Sequence, residues 1–381
     1  MTRLTKIAAI SVFALTLGGL ATGAAQAAGG PIKIGVQAPI TGDYAAEGQG
    51  IQNGVKLLAD QQNAKGGLLG RKIEVTVCDD EGKPATAAIC ARKLVNDGVI
   101  AVIGTYTSGA ALAAAPIYSA ANVIQTSDGT SDELTAKGWK TFFRNAPPNS
   151  AEATFTAEYL VKARQYKRIV VLSDRSSYAT GLADSVEQAI KHAGGNVVAK
   201  DYITAGTQDY SAVLTKIKAD NPDALYYSGY YTDGGLIRAQ MVQLGMTASF
   251  VGGDAIQNAA FAKIAGNAAK GAVIINVPSP ENLPYSEAKQ FLADYVKTYG
   301  SQPPSIYTFT NADGLRAVLA AITATQSADT AKLIPWLHNM KSYNGLTGSF
   351  TWDQNGERVG SPMTAFEVQA DGSYKTIYPA K

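Results

Sequence analysis

Two rhythms of apolar and polar positions alternate along this chain, and the change from one to the other marks out its elements. Short apolar runs of strand length, rich in β-branched residues, recur at 33–38, 73–77, 99–103, 168–173, 196–202, 224–228 and 250–252. Runs of this kind read as strands, the most continuous of them buried on both faces. Between them the period lengthens to that of a helix, at 49–62, 85–96, 108–121, 176–192, 210–219 and 233–244. In the first of these helices Ile51, Val55, Leu57 and Leu58 are predicted to face the sheet. One strand followed by one helix, repeated, predicts an α/β fold built on doubly wound parallel sheets. The alternation pauses at FFRNAPPNS, where Pro147 and Pro148 suit a crossover, and then restarts, which predicts two sheets of one architecture side by side. About 350 residues are enough for this, since a single core stops growing near roughly 250–300 residues.

The most chemistry lies in 99–134. The apolar run breaks at Gly104, and Ser108 opens an alanine-rich helix. A second short strand, 123–125, leads into a loop, 126–132, packed with hydroxyls and one glycine. In an open parallel sheet both loops leave the carboxyl ends of their strands, the edge at which such sheets bind ligands. The first turn of the helix offers backbone N–H groups without intrahelical partners and the positive end of the dipole, and the Ser108 hydroxyl adds a donor. An anion suits that place. A carboxylate would be held by charge-assisted hydrogen bonds to Ser108 and Thr130. The alternative is that Ser108 is only a helix N-cap and Thr130 only a loop hydroxyl.

Between the first strand and its helix lies ITGDYAAEGQG. Its Gly48 and Gly50 superficially suggest a dinucleotide-binding turn, but the third glycine, Gly54, falls one residue late and the loop is too long. The loop is instead expected to carry Tyr44 and Glu47 toward the crevice, the alternative for Glu47 being solvent.

The first 30 residues stand outside the pattern. Arg3 and Lys6 give a basic start, 7–20 is an apolar core short for a bilayer, and Ala25-Gln26-Ala27 is a small-x-small cleavage site. Residues 1–27 therefore read as a secretory signal peptide, cut after Ala27 or Ala28, and the absence of a cysteine at that junction argues against a lipid anchor. Taking Arg3 and Lys6 from the 33 basic residues leaves 31, equal to the 31 acidic ones, so nucleic acid is a poor partner. Cys78 and Cys90 are the only cysteines. In an exported chain an even pair defaults to a disulfide, here closing a short loop worth roughly 3 kcal/mol, with two buried thiols as the alternative. His192 and His338 are isolated and expected to be solvated, so neither a metal site nor any cofactor is expected.

The segments GVIAVIGTYTSG, TSDGTSDELT, DRSSYATGLADSV, ALYYSGYYTDGG, FVGGDAIQNAAF and GSFTWDQNGERVG fall in the order and at the spacing of bacterial periplasmic leucine/isoleucine/valine-binding proteins. The chain is similar to that family over essentially everything after residue 30. The resemblance implies the type I periplasmic binding protein fold, in which two lobes are joined by a three-strand hinge. One lobe would comprise 31–148 plus 279–355 and the other 149–278 plus 356–381. It further implies a monomeric receptor, free in the periplasm, that captures an amino acid between closing lobes and hands it to an inner-membrane ABC permease. A sensor read by a chemoreceptor or kinase is the alternative.

The resemblance also implies site residues. An acidic group pairs the ligand's ammonium, and Asp254 stands at that position where the family commonly has glutamate; read without the resemblance, Asp254 is equally a helix N-cap before 255–262. Tyr178 and Tyr230 match the family's second-lobe tyrosines. Where receptors for branched side chains carry large apolar residues, this chain carries Glu47, Tyr106 and Thr107, and Asp128 stands where only a backbone carbonyl is needed. These departures point to a ligand side chain that is polar, small or positively charged. Catalysis is not expected: a nucleophile at Ser108 would need a base, neither histidine lies in a crevice loop, and no G-x-S-x-G elbow is present.

Overall fold

The computed structural model describes residues 29–379, so the expected signal peptide lies outside the described residues. The chain runs β1 (Ile32–Ala38), α1 (Ala45–Ala64), β2 (Ile73–Asp79), α2 (Pro84–Asn96), β3 (Ala101–Gly104), α3 (Ser108–Ala120), β4 (Ile124–Ser127), α4 (Glu133–Ala136) and β5 (Phe142–Arg144). It continues through α5 (Asn149–Ala157), β6 (Ile169–Ser173), α6 (Ser177–His192), β7 (Val197–Tyr202), α7 (Ser211–Ala219), β8 (Ala224–Ser228), α8 (Tyr231–Gln243), β9 (Ser249–Gly252), α9 (Ala259–Ala265) and β10 (Val273–Asn276). The last part holds α10 (Ser286–Tyr299), α11 (Tyr307–Thr325), α12 (Thr330–His338), β11 (Tyr343–Gly345), β12 (Gly348–Trp352), β13 (Arg358–Val359), β14 (Thr364–Val368) and β15 (Tyr374–Tyr378).

The first sheet, in the order β2-β1-β3-β4-β5, is parallel throughout. The second, β15-β14-β10-β9-β8-β6-β7, departs from the all-parallel expectation, because β14 pairs antiparallel with β10 and with β15. Those two strands follow the last crossing between the sheets and form a hairpin at one edge, where no helical crossover is needed. Strands β3, β4, β6 and β8 are buried at every position, which is why their sequences lack polar alternation. Helices α10 and α11 pack on α1, and α11 also on β3 and β4, so 286–325 belongs beside the first sheet although it follows the second in sequence. Three segments thus pass between the sheets, after Arg144, after Asn276 and after Val359, and each contains proline: Pro147 and Pro148, Pro278, and Pro362.

The glycines after β1 have a packing role. A Cβ on Gly48 would lie 2.1 Å from the Pro39 carbonyl oxygen, and one on Gly50 would meet Thr308 Oγ1 at 2.6 Å. They let α1 begin at Ala45, earlier than predicted, and let α11 approach it closely. Cys78 and Cys90 form a disulfide with Cα atoms 5.6 Å apart, tying β2 to α2. His338, expected in solvent, is 8 % exposed: Nε2 lies 2.8 Å from the Lys140 carbonyl and Nδ1 3.1 Å from that of Asp353, because α12 packs back over the first sheet's edge. His192 is exposed as expected.

Candidate functional site

The loops that leave the carboxyl ends of β3, β4, β6, β8 and β9 converge from the two sheets on one place. There Tyr106, Ser108, Asp128, Thr130, Tyr178, Tyr230 and Asp254 enclose a cavity together with Ala255 and Tyr307. It measures about 10 Å³, room for roughly one water molecule. The walls are therefore drawn together, and Ala255 is the only aliphatic residue among them.

The first wall is hydroxyl and backbone. Thr107, not Ser108, caps α3: its Oγ1 accepts from the Ala110 N–H at 3.2 Å and donates to the Gly82 carbonyl at 3.0 Å. Thr107 is thereby used up outside the cavity, and Ser108 becomes the first helical residue, at the positive end of the dipole. Ser108 Oγ accepts from the Ser131 N–H at 3.2 Å, and the Thr130 carbonyl accepts from the Asn149 N–H at 2.8 Å. The loop carrying Thr130 is held by Arg144, which is fully buried at the end of β5. Its guanidinium donates to the carbonyls of Gly129 and Ser131 and to Glu357 Oε1, the last at 2.7 Å. Strand β4 runs on to Ser127, two residues beyond the predicted end, because its backbone pairs with that of Arg144.

Asp128 is 3 % exposed and accepts from Thr310 Oγ1 at 2.8 Å and from the Asn311 amide. Burial pushes its carboxyl well above the usual range, with those two donors pulling the other way.

The second wall is acid and phenol. Asp254 opens a 3-10 turn, Asp254–Ile256, and α9 begins only at Ala259, capped by Asn258 through a 2.7 Å bond from the Ala260 N–H. The N-cap alternative for Asp254 falls, and its carboxylate faces the cavity. Oδ1 accepts from the Tyr178 hydroxyl and Oδ2 from that of Tyr307 at 2.7 Å. Behind it Glu152 accepts from the Asp254 N–H at 3.2 Å and from the Tyr226 hydroxyl at 3.0 Å. Burial first, then the charge of Asp254, push the Glu152 carboxyl well above its ordinary value. Burial also raises Tyr106, Tyr178, Tyr230 and Tyr307, so the phenols are neutral donors.

Aromatic rings bridge the walls. Tyr44 and Tyr106 from the first half meet Tyr230 from the second with ring centroids 4.4 and 5.8 Å apart, and the Tyr231 hydroxyl donates to the Asp43 carbonyl at 3.1 Å. Tyr44, placed in the crevice by its loop, is thus a cover over the cavity. The Tyr106 hydroxyl is buried and finds no partner among the described residues.

Glu47 is neither a cavity residue nor solvated. It lies in the first turn of α1, 1 % exposed, accepting from Asn258 Nδ2 at 2.5 Å and from Ser305 Oγ at 2.6 Å. Burial lifts its carboxyl to about 7. Sequence reasoning missed Tyr307, Arg144 and Glu152; of these only Arg144, a lone charge ending an apolar strand, carried a local signal. Among the described residues no group of three or more His, Cys, Asp or Glu is placed to hold a metal ion.

Known proteins resemble this chain along nearly its whole length. The sequence family described as "Periplasmic binding protein" matches residues 31–373. The Leu/Ile/Val-binding protein of Escherichia coli strain K12 is 31% identical over 343 residues, which is 90% of this chain and 92% of the relative. Among solved structures, the branched-chain amino acid transporter substrate binding protein of Streptococcus pneumoniae, in complex with isoleucine, superposes with a TM-score of 0.83 at 30% identity, covering 92% of this chain and 100% of that one. A leucine binding protein from Thermotoga maritima gives a TM-score of 0.84 at 28% identity, covering 91% and 97%. A match along nearly the whole chain, with the ligand edge of both sheets turned to one cavity, settles the lineage: the protein belongs to the periplasmic binding protein family.

Proposed function

We propose that this protein is an exported, non-catalytic receptor that captures a free amino acid between two lobes, 31–148 plus 279–355 and 149–278 plus 356–381, and delivers it to an ABC importer. One observation carries the reading. Donors without formal charge, Ser108, Thr130 and the first turn of α3, face from one sheet the same cavity that the Asp254 carboxylate faces from the other. A zwitterion fits that polarity. Its carboxylate would take the N–H groups and hydroxyls, and its ammonium would take Asp254, because a buried ammonium without a partner is costly.

The three crossing segments act as the hinge, and the ligand favours the closed form because only there are both its ends paired. The relatives' names speak of leucine, isoleucine and valine. The walls here are phenols, hydroxyls, the carboxyls of Asp128 and Asp254, and Ala255, which supports a ligand with a small or polar side chain over a bulky aliphatic one.

Calorimetry with a panel of amino acids tests this. Saturable binding is expected, tightest for compact or polar side chains. Absence of binding by every amino acid, small carboxylate and amide tried would overturn the reading.

A further inference from the structure

Tyr307 opens α11 in the first half, yet its hydroxyl donates to Asp254 Oδ2 in the second at 2.7 Å. The other oxygen of that carboxylate accepts from the Tyr178 hydroxyl, which comes from α6 in the same half as Asp254. The acid is thus held from both halves, and of the two phenols only Tyr307 reaches across. A carboxylate offers roughly four acceptor positions, so each oxygen keeps about one for a guest in the cavity. Burial keeps the Tyr307 phenol in its neutral, donating form.

The main chain of Tyr307 is fastened as firmly as its hydroxyl. The N–H donates to Ser305 Oγ at 3.1 Å, and that hydroxyl donates to Glu47. The carbonyl accepts from Asn311 Nδ2 at 2.9 Å, and the same amide nitrogen donates to Asp128. The ring stands edge-on to Tyr106 with centroids 5.3 Å apart. Every polar group of this residue therefore leads to a buried acid, Glu47, Asp128 or Asp254, and the backbone that aims the phenol has little freedom.

We infer that Tyr307 is a positioning residue for recognition of the ligand's ammonium: its hydroxyl holds the Asp254 carboxylate across the gap, so that closure and ammonium binding reinforce each other. This role rests on the receptor reading proposed above. The bond forms only when the halves meet, because its donor and its acceptor belong to different ones. A hydrogen bond to an ionised group is among the stronger ones in a protein, and a site that excludes water strengthens it further. A closed form that has this bond keeps its guest longer, and one that lacks it releases the guest sooner. The ligand's carboxylate, bound at Ser108 and Thr130, gains nothing from the phenol.

The test is Tyr307→Phe, which keeps the ring and removes one oxygen. The probe is the amino acid that binds most tightly in the calorimetry panel, beside the carboxylic acid that lacks only its amino group. The variant is expected to weaken the amino acid about tenfold, the effect of roughly one hydrogen bond to a charged group, and to leave the deaminated acid within about twofold of its wild-type affinity. Stopped-flow kinetics should place the loss in the dissociation rate, with association little changed. In an Asp254→Ala background the same substitution should leave amino-acid affinity within about twofold, because the bond it removes is already gone. Unchanged amino-acid affinity in Tyr307→Phe, equal losses for both probes, or an undiminished loss in the Asp254→Ala background overturns the role and leaves the receptor reading standing. A loss carried by slower association overturns the link to closure. Failure of every amino acid to bind the wild type overturns the receptor reading and this role with it.

Discussion

The two walls of the tyrosine-lined cavity are braced in opposite ways. The first is built of short hydroxyls and backbone N–H groups, and a buried cation, Arg144, holds the Gly129 and Ser131 carbonyls of its loop. The second is built of a carboxylate, and behind that carboxylate stands another acid, Glu152, which burial and Asp254 together drive toward its neutral form. The first wall gathers positive potential from dipoles, and burial drives its one acid, Asp128, toward the neutral form; the second concentrates negative charge on one side chain. A preorganised dipole tolerates the loss of any one donor. A single carboxylate does not tolerate its own loss. Sensitivity to mutation should therefore be spread over the first wall and concentrated at one residue of the second.

The largest effect tests the brace of the first wall. Arg144→Met leaves the Gly129 carbonyl without its donor and takes the cation from Glu357, which keeps the Arg358 N–H and the Thr135 hydroxyl, and breaking an ion pair buried on the arginine side costs up to roughly 3–5 kcal/mol. Chemical denaturation should show that loss. Unchanged stability would mean that the 126–132 loop holds itself. Next comes the second wall: Asp254→Ala should cost an α-amino acid roughly 2–5 kcal/mol, from about 30-fold to a few thousand-fold, and leave the deaminated analogue little affected. Equal losses for both in calorimetry would remove the ammonium from Asp254. Smaller again is Ser108→Ala, which removes one charge-assisted bond of roughly 1.5–3 kcal/mol with neighbouring donors still in place. A loss matching that of Asp254→Ala would erase the contrast between the walls.

The smallest effect concerns pH. Glu47 is raised to about 7 where the halves meet, so the closed form holds its proton more tightly than an exposed carboxylate does. A raised acid destabilises the closed form as pH climbs from the ordinary value near 4.5 through 7. Ligand affinity should thus fall on the order of tenfold from pH 5.5 to 8. In Glu47→Gln the fall over 5.5–8 should largely vanish; a profile identical to wild type would separate Glu47 from closure.

How much of this could be read beforehand follows from where each residue sits. Ser108, Thr130, Tyr178, Tyr230 and Asp254 occupy loops directly after strands, and a parallel sheet delivers such loops to one edge whatever else the chain does. Tyr307 opens a helix that reaches the first sheet only because the chain crosses back near 277–285, a long-range fact with no local pattern. Glu152 reaches Asp254 across 102 positions within the second half, a contact that likewise leaves no local pattern. Glu47 was misplaced because its glycines looked like loop punctuation, when Gly48 and Gly50 in fact permit close approach of Pro39 and of α11, so that the helix starts earlier. Asp254 looked like a cap until the helix after it proved to start five residues later, with Asn258 in that role.

The bridging rings carry one more consequence. Trp139, Trp336 and Trp352 all lie on or against elements of the first half, whereas Tyr178, Tyr230 and Tyr231 belong to the second. Exciting tyrosine and watching tryptophan emission makes the molecule its own optical ruler: resonance transfer across the gap should brighten as the halves meet, reporting capture in real time with no dye attached.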